Sequence, residues 1–186
     1  GSRQQARQGR HLLLHLTQQL PELLHLNPPP LYLPLQPLYQ LLLLLGLGGG
    51  SLLRSLHGFC SEADFQVVEL RKCVIHIAID HFFAPNDARV NFHNRNGIDY
   101  LNDAAEHSSD MIFADMYQAY SMEGFQSTDR FLEQCWKLLT GDGWLIINFH
   151  ELPDFSDPYL DRMCDLFPEV FCCGTSSGNY VVMCGK

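Results

Sequence analysis

Apolar and polar positions alternate along the chain on two different periods. From Leu41 onward, short continuous apolar runs are separated by stretches of helical spacing. Leu41–Leu45 is five leucines ending in glycine, the signature of a strand buried on both faces. Ser51–Gly58 has helical spacing. Gln66–Leu70 is a second strand, with a helix over Lys72–Phe82. Val90–His93, Met111–Asp115 and Trp144–Asn148 are further strands, followed by helices over Ile98–Glu106, Thr128–Leu139 and Pro158–Leu166. Val170–Cys173 and Tyr180–Cys184 close the pattern with only a polar loop, Gly174 to Asn179, between them. They are expected to pair as an antiparallel hairpin. Strands alternating with helices predict an α/β domain with a parallel sheet covered on both faces.

The first 40 residues differ. Residues 10–26 read as one or two short amphipathic helices broken near Pro21. Pro28, Pro29, Pro30, Pro34 and Pro37 make residues 27–40 an extended linker or wrap. The expected division is therefore residues 1–40 as an N-terminal helical and proline-rich extension, and residues 41–186 as the domain. The leucine-rich face of residues 12–26 could pack on its own domain or on a partner, a second copy in a homodimer included.

Five β/α units followed by a β-hairpin are the pattern of a Rossmann-like, seven-stranded methyltransferase fold. The chemistry-bearing positions fall at the strand ends, where open α/β sheets bind ligands. Gly46, Gly48, Gly49 and Gly50 lie between the first strand and first helix. Glycines there permit a tight turn and a close ligand approach, although Ser51 breaks the full G-x-G-x-x-G pattern. Glu69 and Leu70 end the second strand, and a carboxylate at position 69 can accept both hydroxyl hydrogens of a ribose. Asn96-Gly97 follows the third strand. It is either an adenine contact, with both donor and acceptor to offer, or a simple turn. Asp115 ends the fourth strand, where a carboxylate can bind a cationic amine and take its proton. Tyr117 and Gln118 follow it and are candidates to touch substrate.

Charge narrows the partners. The whole chain of 186 residues has a net charge of −9. Residues 1–40 hold three arginines and one acid, so the remaining 9 basic and 20 acidic groups give the domain −11. That balance argues against nucleic acid, which needs a basic face, and suits a cationic substrate. No apolar stretch approaches the ~20 residues that cross a membrane. The seven cysteines show no C-x-x-C, and His11 and His15 lack a third ligand, so no metal site is expected. Reduced core thiols in a cytoplasmic protein are the expectation.

These residues resemble the spermidine synthase family, the polyamine aminopropyltransferases. The likeness spans about residues 30–186. It is carried by Leu44–Arg54 (LLGLGGGSLLR), Val67–Leu70 (VVEL), Asn96–Leu101 (NGIDYL), Asp110–Gln118 (DMIFADMYQ) and Gly141–Asn148 (GDGWLIIN). The resemblance implies a decarboxylated S-adenosylmethionine donor, a polyamine acceptor and no metal. Glu69 would hold the ribose, Asn96 would meet the adenine, and Asp115 would be the base. The chain departs from the family at Gly49, Asn96 and Gln118, where acids are usual, and residues 1–40 do not match the family's N-terminal β-domain. A methyltransferase using S-adenosylmethionine itself and a non-catalytic nucleoside-binding module are the alternatives.

Overall fold

The computed structural model describes residues 40–118, 121–122, 124–150, 158–174 and 178–186, with the backbone alone for Tyr117, Gln118, Ser121, Met122 and Phe125. The expectations for residues 1–39 and for the middle of the last loop lie outside these residues. All described residues belong to one compact unit, Gln36–Lys186.

Seven strands form one sheet: β1 (Leu41–Leu45), β2 (Asp64–Glu69), β3 (Val90–Asn94), β4 (Ser109–Ala114), β7 (Leu139–Phe149), β8 (Glu169–Gly174) and β9 (Tyr180–Gly185). Their order is β3-β2-β1-β4-β7-β9-β8. The first five are mutually parallel, and β9 runs antiparallel between β7 and β8. Five helices cover the sheet: α1 (Ser51–Phe59), α2 (Lys72–Phe82), α3 (Gly97–Asp103), α4 (Asp129–Leu138) and α5 (Pro158–Leu166). The predicted alternation and terminal hairpin are both present.

The leucines of β1 explain the two-layered core. Leu42 and Leu44 join Phe65, Val67, Leu53, Ile75 and Ala78 on the side of α1 and α2. Leu43 and Leu45 face the other way, into a cluster with Val68, Ile112, Phe131, Leu132, Leu145, Ile147 and Met163. Successive strand residues point to opposite faces, so a strand sandwiched between helix layers must be apolar at every position. Each fully buried leucine stabilises the fold by about 2 kcal/mol.

Two boundaries depart clearly from the sequence pattern. Helix α3 stops at Asp103 rather than Glu106. Strand β7 begins at Leu139, directly after α4, instead of at Trp144. Its pairing with β4 jumps from Ser109↔Leu139 to Met111↔Trp144, so residues 140–143 bulge from the ladder. A two-residue pair unforeseen in the sequence, β5 (Tyr117–Gln118) with β6 (Ser121–Met122), follows β4. It precedes a 3₁₀ turn over Gly124–Ser127.

The cysteines also need correction. Only Cys135 and Cys184 are buried, whereas Cys73, Cys164 and Cys173 are exposed; all seven are free thiols. Burial pushes the Cys184 thiol up to about 12 and the Cys135 thiol well above its ordinary value, which keeps both unreactive. No described helix is long and apolar enough to cross a membrane.

Candidate functional site

The carboxyl ends of β1, β2, β3, β4 and β7 bring the candidate residues to one sheet edge. Gly46 leaves β1 with φ +94° and donates its N–H to Val68 O at 2.9 Å. A side chain there would collide with the backbone carbonyl of Asp115, so glycine is required for close approach as well as for the turn. Gly50 caps α1 at φ +71° and packs against Ala84. Gly48 instead faces open space. The free N–H groups of the first turn of α1 therefore begin directly behind the loop.

Arg54 clamps this loop from outside. Its guanidinium donates to Gly49 O and Ser51 Oγ, each at 2.9 Å, and to Phe82 O. The Phe82 ring in turn lies beside Gly49. Sequence reasoning left Arg54 without a role, although it closes the quoted LLGLGGGSLLR block.

Glu69 is only 7% exposed. One carboxylate oxygen accepts the Leu47 N–H of the glycine loop at 3.3 Å, and the other accepts the Arg71 N–H at 2.9 Å. It therefore braces the loop from β2, and four acceptor positions on a carboxylate leave room for further donors. Leu70, the next residue, is 62% exposed and presents apolar surface beside it.

Asn96 turns out to be a helix cap. Its Oδ1 accepts the Ile98 N–H at 2.7 Å at the start of α3. The cap occupies one lone pair of the oxygen, and the donor Nδ2 makes no hydrogen bond among the described residues. Gly97 has Met116 Sδ against it, which ties the start of α3 to the end of β4.

Asp115 is the first residue beyond β4, one position later than its expected place in the strand. Its backbone N–H donates to Leu45 O at 2.9 Å. Its exposed side chain accepts from Asn148 Nδ2 at 2.8 Å through Oδ1. Among the described residues no hydrogen bond engages Oδ2. The backbones of Tyr117 and Gln118 continue from this edge in β5.

Two residues that the sequence pattern did not single out complete the edge. Asn148, near the end of β7, is the partner of Asp115. Gln126 is fully buried; its Oε1 accepts the Met116 N–H at 3.1 Å, and its Nε2 donates to Ala114 O at 3.4 Å. Tyr159 seals the same turn by donating to Gln126 O at 2.6 Å. No group of three or more His, Cys, Asp or Glu able to hold a metal occurs among the described residues.

A shallow cavity of about 270 Å³ lies elsewhere. It opens beneath α3 and is lined by Gln66, His93, Tyr100, Asp103 and Ser108, with Leu41 at the start of β1. It does not reach the glycine loop or Asp115. Burial, aided by nearby Arg95, holds His93 below the usual histidine range.

This topology, with polar residues gathered at the carboxyl edge, is that of the seven-stranded S-adenosylmethionine-dependent methyltransferase fold. Human methyltransferase-like protein 13, solved in complex with SAH, superimposes with a TM-score of 0.70 over 78% of this chain and 71% of that chain, at 23% identity. A spermidine synthase in complex with the transition state analogue AdoDATO gives 0.65 over 81% of this chain and 56% of that one, at 22% identity. In sequence, the polyamine aminopropyltransferase of Clostridioides difficile (strain 630) is 27% identical over 136 residues, which is 69% of this chain and 47% of that enzyme. These relationships fit a spermidine-synthase-like family on the methyltransferase fold. No family model matches the chain. The chain spans about half the length of the curated relatives it matches.

Proposed function

We propose that this chain binds an S-adenosylmethionine-type nucleoside and transfers an aminopropyl group from the decarboxylated form to a polyamine. The observation that carries the reading is the meeting of the glycine loop, Glu69 and Asp115 at one sheet edge, with Gly46 in van der Waals contact with the Asp115 backbone. Glu69 receives the ribose hydroxyls on acceptor positions that the loop leaves open. Leu70 supplies apolar contact beside them. Asn96 donates Nδ2 to a ring nitrogen of the adenine, because its oxygen is held by the α3 cap. The segment Met116-Tyr117-Gln118 borders the acceptor.

The chemistry follows from charge. A protonated amine has no lone pair for attack, and Asp115 takes its proton. The amine nitrogen then forms a bond to the propyl carbon beside the sulfonium. The carbon–sulfur bond breaks, and methylthioadenosine leaves with the electron pair. The carboxylates of Glu69 and Asp115 suit a cationic donor and a cationic acceptor. Sequence likeness to polyamine aminopropyltransferases supports the same assignment.

Methyl transfer from S-adenosylmethionine is the second reading. Gly49 stands where the aminopropyltransferase pattern usually has an acid, and the Arg54 guanidinium bonds the Gly49 carbonyl. That local charge favours a ligand whose tail carries a carboxylate. A calorimetric titration of S-adenosylmethionine, its decarboxylated form and methylthioadenosine separates the readings. Tighter binding of the decarboxylated form is expected; binding of the full form alone would reject aminopropyl transfer, and binding of neither would reject both. Asp115→Asn is expected to lower putrescine turnover by about 10²–10⁴-fold. Methylthioadenosine affinity should change little in that variant. Undiminished turnover removes Asp115 from the chemistry.

A further inference from the structure

A line of amides ends on Asp115. Asn148 Nδ2 donates to Asp115 Oδ1 at 2.8 Å. Asn179 Nδ2 donates to Asn148 Oδ1 at 3.3 Å, and Asn179 Oδ1 lies 3.1 Å from His150 Nδ1. The three partners come from the end of β7, the residue after it and the residue before β9. Asn148, Asn179 and His150 each make at least one further interaction.

The direction of this line follows from its last member. An ionised carboxylate can only accept, so Asn148 must present its NH₂ to Asp115 and its oxygen to Asn179. Asn179 must then present its NH₂ to Asn148 and its oxygen to His150, whose Nδ1 carries the proton. Every donor points toward Asp115. A flip of Asn148 would set like groups against each other at two places, and a flip of Asn179 would set its oxygen against that of Asn148.

Both ends of the Asp115–Asn148 contact stand on fixed backbone. Asp115 N–H is tied to Leu45 O, and Gly46 packs on the Asp115 carbonyl. Asn148 pairs with Val181 of β9, and its carbonyl receives Gln126 Nε2 at 3.5 Å. An exposed aspartate otherwise turns readily about its last torsion, which has a broad two-fold profile. Here one oxygen is held by Asn148, which limits that rotation, and the other makes no hydrogen bond among the described residues.

We infer that Asn148 is the positioning residue for Asp115, with Asn179 setting the orientation of its amide. The inference rests on the proposed role of Asp115 as the base. Orientation matters because small misplacements of a reacting group cost rate rather than affinity.

Two measurements test it. In ligand-free protein, the Asn148 side-chain NH₂ resonances are expected to move in Asp115→Ala and in Asn179→Ala. The second variant lies outside the strands and leaves the core intact. Resonances indifferent to both substitutions would overturn the inference. In turnover of putrescine with decarboxylated S-adenosylmethionine, Asn148→Ala is expected to lower kcat roughly ten- to a hundredfold with KM little changed. Asn148→Gln, which keeps the amide, should recover part of that loss. A loss confined to KM, or no loss, would also overturn it. If wild type shows no nucleoside binding or turnover while the NMR coupling is present, the proposed function fails and the positioning contact stands.

Discussion

The two edges of the sheet carry similar residues and use them differently. At the amino edge, Arg89 precedes β3 and donates to the carbonyls of Cys60 and Ser61 at 2.9 and 3.0 Å, and it also meets the His57 ring. His57 lies 2.9 Å from Asp87, whose carboxyl is held below its usual range chiefly by the Arg89 backbone N–H and further by His57. Asp110 accepts from the Gln40 and Leu41 N–H groups with one oxygen and from the Thr140 hydroxyl with the other. Each of these polar groups closes on protein. At the carboxyl edge, Glu69 and Asn96 are also engaged, yet each keeps hydrogen-bonding capacity beyond the bonds it makes, and one Asp115 oxygen makes no hydrogen bond among the described residues. In parallel sheets the ends where strands begin can be spent on stability, while the ends where they finish keep bonding capacity for a ligand.

This comparison can be broken experimentally. Gly46→Ala should have the largest effect, because it places a methyl group into the Asp115 carbonyl at φ +94°. A loss of about 3 kcal/mol in urea-unfolding stability is expected, together with loss of nucleoside binding. An unchanged midpoint would show that the loop and Asp115 can separate. Arg89→Ala should cost about 1 kcal/mol by taking the guanidinium donor from the Ser61 and Cys60 carbonyls, of which, among the described residues, only the Cys60 carbonyl keeps a second donor, the Ala63 N–H. Nucleoside affinity should be unaltered; a parallel fall in affinity would mean that the two edges are coupled.

The smallest effect concerns pH. His93 sits below the ordinary histidine value of 6.5 in the folded chain, with burial as the main cause and Arg95 second. The unfolded chain therefore binds more protons in the window below 6.5, and stability falls as pH drops through it toward the folded value. A pH series of thermal midpoints should show this slope, and His93→Gln should flatten it. A slope that survives the substitution assigns the effect to another group.

Much of this division was legible in the sequence. Five consecutive leucines can be satisfied only by a strand with helices on both sides, and glycines after such a strand mark a tight turn at its carboxyl end. The terminal hairpin was legible because a polar loop replaced the expected helix. Contacts between distant residues were not. Asn148 reads as an ordinary polar position in an apolar strand, and only the alignment of β7 beside β4 brings it to Asp115, 33 positions away. Asn96 was half legible: a side chain that can cap a helix or touch a base looks the same until the start of α3 is known. Gln126 carries no pattern at all, because its burial depends on three carbonyl and amide groups that the chain path gathers around it.

The contact between Gly46 and Asp115 also limits how this domain can be re-engineered. A glycine loop transplanted from a relative would bring its own path toward the fourth strand, and the junction has no room for a side-chain carbon. Residues 44–51 and 111–116 therefore form a single exchangeable cassette, and chimaeras cut between the two segments should misfit where donor and acceptor meet.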